Sequence, residues 1–193
     1  MNRMDRKTSA LVLVDYQLRL MPTLHAAQGA VDEARFLGRV ALALSLPVIG
    51  TEQNPAGLGG NLPAIAELCG RTLAKLHFDA TRDGLVEALV EARGSAGGEL
   101  RDVVIAGCEA HVCLLQTALG LLRAGLRVTV VPAACASRRP EDHALAQQRL
   151  LQAGAVLAGA ESVAFEWLDT CRAPEFKAVL ALLKGRAAAT RPG

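Results

Sequence analysis

Cys113 is the most reactive side chain in a stretch whose pattern places it well, Arg101 to Arg123 (RDVVIAGCEAHVCLLQTALGLLR). Val103 to Ala106 reads as a buried strand, and Leu114, Leu115, Ala118, Leu121 and Leu122 recur behind it at helical spacing. The pattern predicts strand, short turn and helix, with Cys113 in the first helical turn. There, unpaired N–H groups and the positive dipole end favour a thiolate. Open α/β sheets also take their ligands at such turns, beyond the carboxyl ends of the strands. Asp15 ends the apolar run Ala10-Leu-Val-Leu-Val, and Lys75 falls near the end of a weaker strand, Arg71 to Leu76. In a parallel sheet these three strand ends converge on one edge. They match the needs of nucleophilic attack on an acyl carbon: a thiol, a base for its proton, a nearby cation, and turn amides for the oxyanion. A free carboxyl with a pKa near ~3.9 is a poor base for a thiol near ~8.5. The trio therefore requires Lys75 and the dipole to lower the thiol's pKa while burial raises that of the carboxylate, so that the groups titrate as one coupled unit.

Each residue also has an ordinary structural role open to it. A cysteine on an apolar helix face is commonly a small core hydrophobe, Asp15 suits a cap or turn, and Lys75 suits a solvated surface. His77 and His111 read as hydrogen-bonded residues of a pocket or helix start, since no second histidine stands at ligand spacing. Cys69, Cys108, Cys135 and Cys171 read as packing residues. The segment Gly57-Leu-Gly59-Gly60 lacks the third glycine of a dinucleotide fingerprint and follows the second strand, so no cofactor is expected.

The elements that must position these residues alternate along the chain. Strands are expected at Ala10 to Asp15, Pro47 to Thr51, Arg71 to Leu76, Val103 to Ala106, Leu126 to Val131 and Ala155 to Leu157. Helices are expected at Val31 to Leu46, Leu62 to Leu68 with Asn61 as its N-cap, Asp83 to Arg93 with Asp83 as the cap, Glu141 to Gln152, Ser162 to Thr170 and Glu175 to Leu183. Glu52 to Gly60 reads as a polar loop, Gly94 to Gly98 as a surface turn, and the small, basic tail from Lys184 to Gly193 as frayed. Alternation at this spacing implies a three-layer α/β/α fold around a parallel sheet with right-handed crossovers. The 193 residues read as a single domain, 1–193, with an ordered core of about 8–184.

Composition narrows the function classes. Lys and Arg total 21 against 19 Asp and Glu, a net charge of +2 that is too even for a nucleic-acid surface. The charged start MNRMDRKTSA lacks the apolar centre of a signal peptide, and no apolar run approaches the ~18 residues of a membrane span. Five cysteines without a CxxC pair suit free thiols in a reducing cytoplasm.

At five places in order the sequence resembles the isochorismatase-like cysteine hydrolases. These are Leu11-Val-Leu-Val-Asp15-Tyr-Gln17, Thr51-Glu-Gln53 with Gly57-Leu-Gly59, Lys75 with Phe78, Ala106-Gly-Cys-Glu-Ala-His-Val-Cys113-Leu-Leu-Gln-Thr-Ala118, and Ala134-Cys-Ala-Ser-Arg138 with Glu141-Asp-His143. The similarity is strongest to the branch of isochorismatase domain-containing proteins. It implies a six-stranded Rossmann-like sheet, a catalytic triad of Asp15, Lys75 and Cys113, and a cis peptide between Cys108 and Glu109. It also implies an oxyanion hole from the Glu109 and Cys113 amides, and attack on a small amide or related acyl substrate through a thioester. Gln53, Phe78 and His111 are then expected to face the substrate, and a homo-oligomer, dimer or tetramer, is expected by analogy. Where nicotinamidase relatives carry an Asp and His metal motif this chain reads Thr51-Glu-Gln-Asn-Pro55, so no metal is expected. True isochorismatases can lack the cysteine, which this chain keeps. Near Lys75, Leu76, His77 and Asp79 replace the small hydroxyl residues of many relatives. Two other readings stay open: a silent member of the fold that binds a partner or assembles, and a redox sensor with Cys108 resolving a Cys113 sulfenate.

Overall fold

The computed structural model describes residues 3–189. Its elements in chain order are β1 (Ser9–Val14), α1 (Ala27–Ala43), β2 (Val48–Gln53), α2 (Pro55–Leu58), α3 (Pro63–Ala66), β3 (Arg71–Lys75), α4 (Leu85–Ser95), β4 (Asp102–Gly107), α5 (Leu115–Arg123), β5 (Arg127–Val130), α6 (Pro140–Gln152), β6 (Val156–Leu157), α7 (Ala160–Leu168) and α8 (Phe176–Ala189). The strands form one six-stranded sheet in the order β3-β2-β1-β4-β5-β6, every neighbouring pair parallel. The chain winds outward from β1 to β3, then returns to β4 and winds the other way. α1, α3, α7 and α8 pack together on one face, and α4, α5 and α6 line the other. Central strands covered on both faces have no polar side to show, which is why β1 and β4 are buried at every position. At the edges β3 is largely exposed and β6 is only two residues long, features that discourage edge pairing.

The amino ends of the strands are pinned by buried charge. The Arg93 guanidinium, on α4, donates to the carbonyls of Arg6, Ser9 and Ala96 at 3.0, 3.2 and 2.9 Å. Asp102 accepts from Thr8 Oγ1 at 2.9 Å and from Arg127 at 2.7 Å, tying the starts of β1, β4 and β5. The carboxyl ends carry the candidate site residues Asp15, Lys75 and Cys113. The return from β3 to β4 makes the space beyond β1 and β4 the switch point of the sheet.

Several expected boundaries differ. Asp83 caps no helix: it binds His77, and the residue before α4 is Gly84 in the left-handed region. Asn61 is likewise no cap, because its side chain donates to the Thr51 carbonyl and Leu62 precedes α3. α1 starts at Ala27, ahead of its apolar stripe. β2 continues through Gln53, so the expected loop begins two residues late, and α4 continues through Ser95 into the expected turn. α8 runs through Ala189, so residues 184–189 are helical, while 190–193 lie outside the described residues. Cys113 sits in a single wide turn, Ala110–Leu114, with i→i+5 bonding, which then tightens into α5. Among the described residues no helix is long and apolar enough to cross a membrane.

Gly107 closes β4 where it meets β1. A Cβ there would lie 2.4 Å from the Val14 carbonyl oxygen, and backbone cannot yield cheaply. Gly107→Ala is therefore expected to lower stability by about 1–3 kcal/mol, the usual range for overpacking. Urea unfolding followed through Trp167, the single tryptophan and fully buried, measures this, and an unchanged midpoint contradicts the close approach.

Candidate active site

Strand register brings three of the expected residues together. Val14 lies opposite Thr51 and Gln53 opposite Lys75, so Asp15 and Lys75 emerge at nearly the same level beyond β1 and β3. Asp15 takes φ +54°, a left-handed conformation that aspartate tolerates better than most residues and that turns the chain out of β1. Its carboxylate meets Lys75 Nζ at 2.8 Å with both side chains fully buried. Thr51 Oγ1 donates to the other carboxylate oxygen at 2.7 Å. The ammonium also donates to Gln53 Oε1 at 2.6 Å and more weakly to the His77 carbonyl at 3.4 Å. Cys113 Sγ lies 3.8 Å from the same Gln53 oxygen. Thiol, ammonium and carboxylate thus share one water-poor site through Gln53.

Electrostatics reverse one expectation. Burial, reinforced by the Asp15 carboxylate, pushes the Cys113 thiol up to about 12, and the opposing pull of Lys75 is smaller. A helix start favours the thiolate only where the sulfur is solvated enough to ionise. Here the sulfur is held as a neutral thiol near Gln53 Oε1. Burial likewise raises Cys108, whose Sγ rests 3.7 Å from Met21 Sδ.

The other expected residues divide. Gln53 joins the cluster as described. Glu109 follows a cis Cys108–Glu109 peptide; its carbonyl accepts from the Val112 and Leu114 amides at 3.1 and 3.2 Å. His111 is half-buried beside it, with Nδ1 3.0 Å from Ser137 Oγ. Phe78 is half-exposed, on a cavity of about 390 Å³ lined also by Leu76, His77, Arg82, Gln116 and Arg123. Neither Asp15 nor Cys113 lines that cavity. Two residues without an expected role support the site. Thr51 orients Asp15, and Gln17 grips the backbone of Gln53, accepting from its N–H at 2.8 Å and donating to its carbonyl at 3.0 Å. Both lie in the short motifs at the ends of β1 and β2, and only the fold shows what they touch. Among the described residues no group of three or more His, Cys, Asp or Glu side chains is placed to hold a metal ion.

The chain is similar in sequence and fold to known proteins. The isochorismatase domain pattern matches residues 9–162. The isochorismatase domain-containing protein 2 of Bos taurus is 38% identical over 177 residues, covering 92% of this chain and 83% of the bovine one. The solved structure of the MAR1 ribonuclease from Caenorhabditis elegans is 31% identical with a TM-score of 0.87, covering 95% of this chain and 93% of that one. The YcaC gene product of Escherichia coli, described as an octameric hydrolase of unknown specificity, shares the fold with a TM-score of 0.79 at 24% identity and 98% coverage of each chain.

Lys75→Met leaves the Asp15 carboxylate buried without its counter-charge, which is expected to cost about 3–5 kcal/mol. Asp15→Asn combined with Lys75→Met removes both charges and is expected to regain part of that loss. Urea unfolding of the wild type and these variants at pH 7 gives the comparison. Equal stability of Lys75→Met and wild type contradicts a buried ion pair.

Proposed function

This chain belongs to the isochorismatase family, and we propose that it is a cysteine hydrolase of a small amide or related acyl compound. The observation that carries this reading is the buried Asp15–Lys75 pair at 2.8 Å, joined through Gln53 to the Cys113 thiol. Asp15 takes the proton of Cys113 as the sulfur attacks the acyl carbon. Lys75 stabilises the negative charge that passes from carboxylate to sulfur. The carbonyl oxygen gathers charge facing the amides of Glu109 and Cys113, a pair of donors fixed before the reaction starts. The C–N bond breaks, the amine leaves with the proton held by Asp15, and a thioester remains on Cys113. Water then gives a proton to Asp15 and attacks the thioester. The acid departs, the proton returns to sulfur, and Gln53 and His111 border the acyl group throughout. By family analogy the working unit is a homo-oligomer that takes a small-molecule substrate.

A neutral resting thiol suits this cycle. The nucleophile is ionised only when a substrate is present to receive it, so Cys113 is shielded from adventitious electrophiles and oxidants, which act on the thiolate. The same shielding speaks against the redox-sensor reading, since Cys108 is held protonated as well.

Cys113→Ala is expected to abolish ammonia release from an amide panel while costing only about 1 kcal/mol of stability for the one buried sulfur lost. A variant with full turnover removes the reading. RNA belongs in the same screen, because the Caenorhabditis elegans relative is named a ribonuclease; cleavage of RNA with no acyl turnover overturns the acyl reading. The pH dependence has a defined sign. The Asp15 carboxylate raises the thiol's pKa and Lys75 lowers it, so iodoacetamide alkylation of Cys113 shifts to lower pH in Asp15→Asn and to higher pH in Lys75→Met. Both variants lose turnover. An Asp15→Asn protein alkylated only at higher pH than wild type contradicts the arrangement.

A further inference from the structure

The motif Ala134-Cys-Ala-Ser-Arg138 has no part in the chemistry above, yet it is strapped along the turn that performs it. Beyond β5, Ala136 forms a parallel bridge with Cys108. Its N–H donates to the Gly107 carbonyl at 3.3 Å, and its carbonyl accepts from the Ala110 amide at 2.8 Å. The Tyr16 hydroxyl, buried beyond β1, donates to the Ala134 carbonyl and fixes the start of the strap. Two residues past Ala136, Arg138 reaches back to the Glu109 carboxylate. Its Nε lies 3.0 Å from Oε1 and a terminal nitrogen 3.0 Å from Oε2. Only the second contact has hydrogen-bond geometry, the terminal nitrogen donating to Oε2; Nε and Oε1 form an ion contact, and Oε1 has no hydrogen-bond donor among the described residues. His111 Nε2 approaches the same Oε1 at 3.9 Å.

Glu109 is thereby tied at its side chain, at its carbonyl and through the next amide. Its own N–H is the one backbone group of the residue left without a protein acceptor among the described residues. There is also a charge problem to solve. A nearly buried carboxylate on the residue whose amide would face the oxyanion needs an opposite charge of its own, and more so where water is scarce. The Arg138 guanidinium, itself mostly exposed, supplies the opposite charge from outside.

We propose that Arg138 is a positioning residue that clamps and neutralises Glu109, so that the Glu109 N–H stays aimed at the oxyanion formed on Cys113 attack. This rests on reading that N–H as an oxyanion donor. Arg138 touches no reacting atom and acts only through Glu109.

Two reagents for the same sulfur separate this role from a merely structural one. Acylation of Cys113 by p-nitrophenyl acetate forms an S–C bond through a tetrahedral oxyanion and breaks the C–O bond to p-nitrophenolate. Alkylation by iodoacetamide displaces iodide directly and forms no oxyanion. The full chain is compared with Arg138→Ala, Arg138→Lys, Glu109→Gln and Glu109→Gln/Arg138→Ala, with Cys113→Ala as background. Arg138→Ala is expected to slow acylation at least about tenfold, short of the ~10²–10³-fold cost of losing an oxyanion-hole donor outright, and to leave alkylation within about twofold. Arg138→Lys restores acylation only in part. The double variant, having no carboxylate to neutralise, acylates faster than Arg138→Ala. Parallel loss of both reactions, or unchanged acylation, overturns the clamp. A wild type that is alkylated but never acylated overturns the clamp together with the acyl chemistry. A wild type whose acetyl adduct forms but is never hydrolysed removes only the hydrolase reading, and the clamp is still decided by the variants' acylation rates.

Discussion

The site depends on one buried ion pair. Asp15 and Lys75 are removed from water together, and neither charge is tolerable there without the other. Their contact needs the ends of β1 and β3 at the same level, which holds only while β2 keeps its register with both. Thr51 and Gln53, at the end of β2, complete the bonding of the pair. The middle strand is therefore a spacer that also supplies the connecting groups.

The sheet divides its polar groups by end. At the amino ends, Arg93 and Asp102 are saturated by carbonyls and by Thr8 and Arg127, and they fix strand starts. At the carboxyl ends, buried groups are joined in a chain with reactive capacity remaining: thiol to amide oxygen, amide oxygen to ammonium, ammonium to carboxylate. The same burial that makes the ion pair obligatory also lifts the thiol toward 12. The fold thus keeps the resting sulfur protonated. The Glu109 turn is held from outside by the strap ending in Arg138, so the turn and the ion pair are supported by separate parts of the chain.

Much of this was legible in the chain. The apolar runs of β1 and β4 are long because both faces are covered, and buried faces leave an unmistakable pattern. Asp15 stands out as a carboxylate ending such a run, and Cys113 as a thiol between a strand and a helical period. Boundaries set by local side-chain bonding were less legible. Asp83 and Asn61 have the chemistry of helix caps, but His77 and the Thr51 carbonyl compete for them successfully. Phe78 is near Lys75 in sequence and lines an outer cavity with Leu76 and His77, whose carbonyls accept from Gln53 and Lys75.

By itself the sequence determined the alternation of strands and helices, hence the parallel sheet and the edge where reactive groups gather. It also determined the residue types available there, through motifs that mark the family. Tertiary structure alone decided which of them touch: that Gln53 bridges sulfur and ammonium, that Thr51 and Gln17 orient the neighbours, and that Arg138 returns to Glu109. It also decided the state of the sulfur. A helix start argues for a thiolate from local dipoles, whereas the actual balance is set by desolvation and by a carboxylate 98 positions away in the chain. Those contributions depend on distances across the sheet, which no local pattern encodes.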